Sequence, residues 1–203
     1  AAITTAAGTD VLNLTVTGAT ATATDLLALD TKTAGTIAVE AAAITGSPSN
    51  LGTLYTNATG AFTKLGNENV TITGIITTAA ELNKVAAATS GKVTATLVAN
   101  TTIDSAAVTA LKDVKASDNI TFDSAATTIA GSELSALLAI KKIIPNADFS
   151  LITSITAVNA SDVALVKNAI KLVAPTATVA FSAGEEISAA DANTISNATS
   201  GAV

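Results

Sequence analysis

Residues 76–97, ITTAAELNKVAAATSGKVTATL, hold a helix start, a helix, a stop and a strand in one short stretch. Thr78 followed by Glu81 forms a T-x-x-E capping box, with Ile76 just ahead of it. Leu82, Val85 and Ala86 then fall at helical spacing, and Gly91 is expected to close the helix with a left-handed backbone. Lys92 to Leu97 alternates polar and apolar residues at period two, the pattern of a half-buried strand.

The same arrangement recurs along the chain, and that recurrence limits the possible folds. The first apolar residue of each predicted helix is Leu26, Leu51, Leu82, Val108, Leu134, Val163 and, more weakly, Ala192. A second marker precedes the helices at Ile44, Ile76, Ile103, Ile129, Val158 and Ile187. Both keep a period of roughly 28 residues, and from Ile103 onward the two markers are always five residues apart, the reach of a hydrophobic staple. Cap residues Asp104, Asn159 and Ser188 lie between them, with Glu133, Asp162 and Asp191 at the acidic third position and Ala130 breaking the cap pattern. Helices are predicted over 24–33, 49–57, 79–89, 105–115, 132–143, 161–173 and 189–198. Strands are predicted over 36–40, 69–73, 92–97, 119–123, 148–152 and 176–181, with a further one at 11–17. Gly35 and Gly91 end two helices, and Pro145 and Pro175 stand just past two others.

One strand–helix unit cannot bury its apolar face alone, whereas stacked neighbours can. The fold expected is an α/β repeat solenoid of six or seven coils, with a parallel sheet on one side and short helices on the other. Residues 1–23 form an N-terminal strand segment, and 24–203 a continuous solenoid whose last repeat is incomplete. The apolar residues are mainly Ala, Val, Ile and Leu, with four Phe, one Tyr and no Trp, which suits thin regular layers. The L-x-x-L-x-L-x-x-N signature of leucine-rich repeats is missing. Instead A79-A80-E81-L82…A88-T89-S90-G91-K92-V93 and its echo A189-A190-D191…A198-T199-S200-G201-A202-V203 resemble the Ala/Thr-rich repeat regions of very large secreted bacterial surface proteins. These are the surface-layer and adhesin proteins familiar in cyanobacteria, and residues 8–16, GTDVLNLTV, are similar to their strands. The resemblance implies an extracellular, structural role. The calcium nonapeptide G-G-x-G-x-D is absent, so no calcium requirement carries over.

Composition narrows the chemistry. The net charge is −6, with ten Lys, no Arg and no basic run, so neither nucleic acid nor an anionic membrane surface is an expected partner. No apolar run approaches the ~20 residues of a membrane span. Cys, Met and His are all absent, which suits life outside the cell and removes the usual nucleophile–base pairs and soft metal ligands. Ala1 in place of Met suggests a processed or excised part of something longer. Glu185–Glu186 and Asp118…Asp123 are the local carboxylate clusters, and both are read as structural, with no catalytic, cofactor or metal residue assigned.

Phe122, Phe149 and Phe181 fall in successive predicted strands, as a stacked core ladder would require. Thr-x-Thr pairs at Thr15/Thr17, Thr71/Thr73, Thr94/Thr96 and Thr176/Thr178 suggest a hydroxyl face that could bind ice or a polysaccharide, interrupted at the strands of Ile120 and Phe149. Asn-x-Ser/Thr sequons begin at Asn13, Asn57, Asn69, Asn100, Asn119, Asn159 and Asn197, where asparagine also suits turns and caps. At the ends, Gly201-Ala202-Val203 opens a strand that Ala1–Thr5 of another unit could complete. The expected partner is therefore another copy, or more of a longer chain, joined head to tail. The functional expectation is a structural building block of a surface layer, matrix fibre or adhesin stalk, with the ice- or polysaccharide-binding module as the alternative.

Overall fold

A computed structural model describes residues 5–57, 60–76, 78–98, 105–123 and 128–203. The first half runs β1 (Leu14–Thr22), α1 (Ala23–Asp30), β2 (Ile37–Gly46), α2 (Pro48–Thr56), β3 (Phe62–Thr63), β4 (Asn69–Ile76), α3 (Ala79–Ala86), β5 (Val93–Val98) and α4 (Ser105–Ala110). The second runs β6 (Asn119–Asp123), β7 (Thr128–Ala130), α5 (Leu134–Ile143), β8 (Ser154–Val158), α6 (Val163–Ala169), β9 (Thr178–Phe181) and α7 (Ala189–Ser196). The fold is mixed α/β. One sheet has the order β1-β2-β4-β5-β6, with β3 beside β2, and a second has the order β7-β8-β9. All of these pairings are parallel. Each helix packs on the next, from α1 through to α7.

All seven expected helices are present, and the starts of all but α4 are held by local side chains. The hydroxyls of Thr22, Ser47, Thr78 and Ser188 accept the N–H groups of Asp25, Asn50, Glu81 and Asp191. Where Ala130 has no capping side chain, its own N–H donates to Glu133 Oε2 at 2.6 Å, so the acid three residues on closes the turn alone. The Asn159 N–H donates to Asp162 Oδ2 in the same way, at 3.1 Å. Asp104 lies outside the described residues, as do Ile103 and the expected contacts of Ala1–Thr4.

The strands depart from expectation in three ways. β1 begins at Leu14 and runs through Gly18 to Thr22, and β2 extends to Gly46, so both are longer than the alternation implied. The short strands β3 and β7 were not anticipated. The strand expected over 148–152 is reduced to single bridges at Asp148 and Phe149, and β8 forms later, at Ser154–Val158. The Asp148 carboxylate explains this, since Oδ1 accepts the Ser150 N–H at 2.9 Å and turns the chain just after the bridge.

The core is built in rows. Ala21, Ile44, Val70 and Val93 are register partners across β1, β2, β4 and β5, all facing inward. On the helices, Leu54, Val85, Leu137, Val166 and Ile195 occupy equivalent positions, as does Leu111 just past the end of α4, and all are buried, each contributing about 1.5–3 kcal/mol. Leu29 holds the same position on α1 but is only half-buried. Phe122 and Phe149 are buried and stacked, with ring centroids 4.9 Å apart. Phe181 does not extend that ladder: it sits in the second sheet opposite Val158, and Val173 bridges Phe149 instead.

Gly35 and Gly91 have a role other than the left-handed stop expected of them. Neither lies among the positive-φ glycines of the chain. They belong to a Thr-x-Gly link found at Thr33–Gly35, Thr89–Gly91 and Thr199–Gly201. In each, the threonine hydroxyl accepts the glycine N–H at 2.9–3.0 Å. That hydroxyl donates to a carbonyl of the preceding segment: Leu12, Glu68 and Ala177 respectively. The intervening N–H adds a second bond, to Asp10, Gly66 or Pro175. A Cβ on any of these glycines would overlap the same carbonyl, so the glycine is dictated by close approach of two backbones.

Candidate functional site

The feature of the surface with the most order is a row of hydroxyls. Thr22, Thr45, Thr71 and Thr94 are consecutive register partners across four parallel strands, and Asn119 on β6 continues the row. Each follows the inward-facing residue of the core row, so the alternation of a strand turns it outward. Neighbours in such a row are spaced by the ~4.8 Å between paired strands. On the second sheet Thr128, Ser154 and Thr178 form a shorter row, and the Thr178 hydroxyl donates to Ser154 Oγ at 3.1 Å.

A second rank beside the first is incomplete. Thr96 pairs with Thr121 on one side, but on the other it faces Ile75, because β4 bulges between Thr71 and Ile75. β4 carries two residues more than β5 between these pairs, Gly74 lies within the bulge at φ 88°, and Ile75 is left 58% exposed on the hydroxyl face. The Thr-x-Thr pairs are therefore not the organising unit. Thr15 and Thr17 face Ala38 and Glu40 across the ladder, and Thr73 lies inside the bulge.

The carboxylates serve the backbone. Asp118 is fully buried and accepts the Val93 N–H and the Lys115 N–H, each at 2.8 Å, with Lys115 Nζ 3.7 Å away. The Asp123 side chain lies outside the described residues. Glu185 Oε2 accepts the Ala160 N–H at 2.6 Å, so it caps the turn leading into α6 and not the start of its own helix. Among the described residues, no group of three or more acidic, histidine or cysteine side chains could hold a metal ion, and no helix is long and apolar enough to cross a membrane. Asn13 and Asn69, at two of the sequons, use their side-chain oxygens on the N–H groups of Thr36 and Lys92.

One buried polar group was not foreseen. Glu68 is buried, accepts the hydroxyl of Tyr55 and takes the N–H groups of Gly66 and Asn67 on its other oxygen. Burial, then the adjacent carboxylate, pushes the Tyr55 hydroxyl well above the ordinary tyrosine range. The protonated phenol is thus favoured by folding, and its contribution is present below pH ~10 and lost as pH rises beyond it. Stability is expected to fall as pH rises above ~10, and to fall less steeply in Tyr55→Phe. With one tyrosine in the chain, phenolate absorbance followed through alkaline unfolding reads this directly.

A groove of about 840 Å³ runs between β1 and α1, lined in part by Leu14, Val16, Ala21, Asp25, Leu29 and Lys32. No protein-family model, curated protein or solved structure matches the chain.

Proposed function

We propose that this chain is a repeat solenoid serving as a structural building block of an extracellular assembly, a surface layer, matrix fibre or adhesin stalk, joined through the ends of its stack. The supporting observation is the recurrent link between neighbouring segments. The Thr33–Gly35, Thr89–Gly91 and Thr199–Gly201 links repeat the same hydrogen bonds 56 and 110 residues apart, at both ends of the chain. A chain that reuses one joint along its length is built as an array, in which each segment contacts its neighbours. A neutral hydroxyl-rich surface without cysteine, methionine or histidine fits an extracellular setting. The test is electron microscopy of the purified chain over a concentration series. Ordered filaments or sheets are expected, and a chain that stays dispersed at every concentration overturns the reading.

The row of Thr45, Thr71 and Thr94, continued by Thr22 whose hydroxyl caps α1, favours a second reading, in which the hydroxyl face binds ice or a polysaccharide. Thr71→Lys would interrupt the row at an exposed position without touching the core. Under this reading it abolishes inhibition of ice recrystallisation or retention on insoluble glycans. If the unaltered chain shows neither activity, the second reading fails.

A further inference from the structure

Many hydroxyls of this chain are consumed by its own fold. Thr22, Ser47, Thr78 and Ser188 cap helices, and Thr33, Thr89 and Thr199 join neighbouring segments. The outward side chains of the central strands differ. Among the described residues, Thr45, Thr71, Thr94, Thr96, Thr121 and Asn119 make no side-chain hydrogen bond to the protein, and none of them is buried. Their hydroxyl and amide groups are free to donate and accept on the open face of the sheet.

Their arrangement is regular in one direction only. Thr45, Thr71, Thr94 and Asn119 are register partners across β2, β4, β5 and β6, one side chain every ~4.8 Å. Along the strands the next rank is Ile75, Thr96 and Thr121, where the β4 bulge puts an apolar side chain in place of a hydroxyl. An ice surface requires regularity in two directions, whereas a linear polymer lying across the strands requires it in one. Sugar rings carry hydroxyls at their rims and C–H groups on their faces. The threonine hydroxyls and the Asn119 amide match the rims, and the threonine methyls and exposed Ile75 match the faces. Charge narrows the polymer further. None of these side chains is ionised, Glu40 on β2 is paired with Lys64, and Lys92, two residues before Thr94, is a single cation beside the row. A chain of net charge −6 with no array of bases on this face repels a polyanion and accepts a neutral one.

We propose that this face binds an uncharged, extended polysaccharide that lies across the strands along Thr45, Thr71, Thr94 and Asn119, with Ile75 and Thr96 against its side. This rests on the second reading above and selects polysaccharide over ice. A hydrogen bond between neutral groups adds only a fewfold to affinity, so a short soluble oligosaccharide is held weakly. A long or insoluble chain engages many hydroxyls at once and is retained.

Co-sedimentation of the 203-residue chain with cellulose, chitin and an insoluble polyuronate provides the test, with circular dichroism confirming the fold of each variant. Retention on cellulose or chitin is expected, and none on the polyuronate. Thr71→Val combined with Thr94→Val removes two hydroxyls at nearly constant shape and should weaken retention by about tenfold. Ile75→Thr supplies the hydroxyl missing from the second rank, yet it should also weaken retention on the glycan, by a fewfold, because an apolar contact is lost. Thr53→Val, exposed on α2 on the helical side, should change nothing. No retention on either neutral glycan overturns the proposal, as does equal retention on the polyuronate or indifference to the double variant. Inhibition of ice recrystallisation without retention on a glycan would sink this inference and leave the second reading standing. Absence of both activities would remove the two together.

Discussion

Gly91→Ala is expected to destabilise the protein by about 3 kcal/mol or more, the upper range for forcing extra atoms into a packed site. The added Cβ would overlap the Glu68 carbonyl, and Glu68 cannot simply move away. Its carbonyl accepts the Thr89 hydroxyl and its side chain accepts two backbone N–H groups and the Tyr55 hydroxyl. Relief of the overlap therefore breaks the link that the glycine exists to permit. Urea unfolding would measure the loss, with Gly52→Ala as the control. A Cβ at Gly52 meets only the flexible Lys84 side chain, and in a helix the exchange should stabilise by about 0.5–1 kcal/mol. If Gly91→Ala is as benign as Gly52→Ala, the close-approach account is wrong.

Phe149→Ala should cost about 3–5 kcal/mol, as expected for truncating a fully buried aromatic. Its position makes the loss directional. Asp148 bridges Thr121 on the first sheet, Phe149 bridges Val173, and the Phe149 ring stacks on Phe122 of β6. This pair spans the passage between the six-stranded and three-stranded sheets. Amide exchange in Phe149→Ala should therefore accelerate more in β7, β8 and β9 than in β1, β2 and β4. A double-mutant cycle with Phe122→Ala should report about 0.5–1.5 kcal/mol of coupling from the stacked rings. Uniform acceleration across both sheets would show that the junction has no special role.

The helices were legible in the sequence because their determinants are local. Thr78 and Glu81, or Ser188 and Asp191, are three residues apart and act on each other's backbone within one turn. Strand bounds were less legible because a strand ends where its partner does. Nothing within residues 62–63 announces that Phe62 pairs with Ile37, and alternation at 148–152 concealed the turn made by Asp148. The hydroxyl row was half visible. Thr71 and Thr94 belong to Thr-x-Thr pairs in the sequence, whereas the row is defined by the residue before each threonine. Aligning Ala21, Ile44, Val70 and Val93 would have brought Thr22 and Thr45 into it. The Glu68–Tyr55 contact spans 13 residues between α2 and the approach to β4, and no spacing rule connects them. Leu29 shows the remaining limit: its helical position was readable, but its half-burial depends on what lies beside β1.

The parallel ladders also determine how the molecule would respond to load. Strand partners lie 23 positions apart at Leu14–Ile37 and Val70–Val93, and 24 apart at Ile155–Val179. A pull applied along the row of strands would act on one ladder at a time, like opening a zip, and not shear all of them together. Each ladder that parts would release about 24 residues, or roughly 80 Å of extended chain, before tension returned to the next. Under tension such a chain would yield in steps, dissipating work at each one while the remaining segments stayed folded.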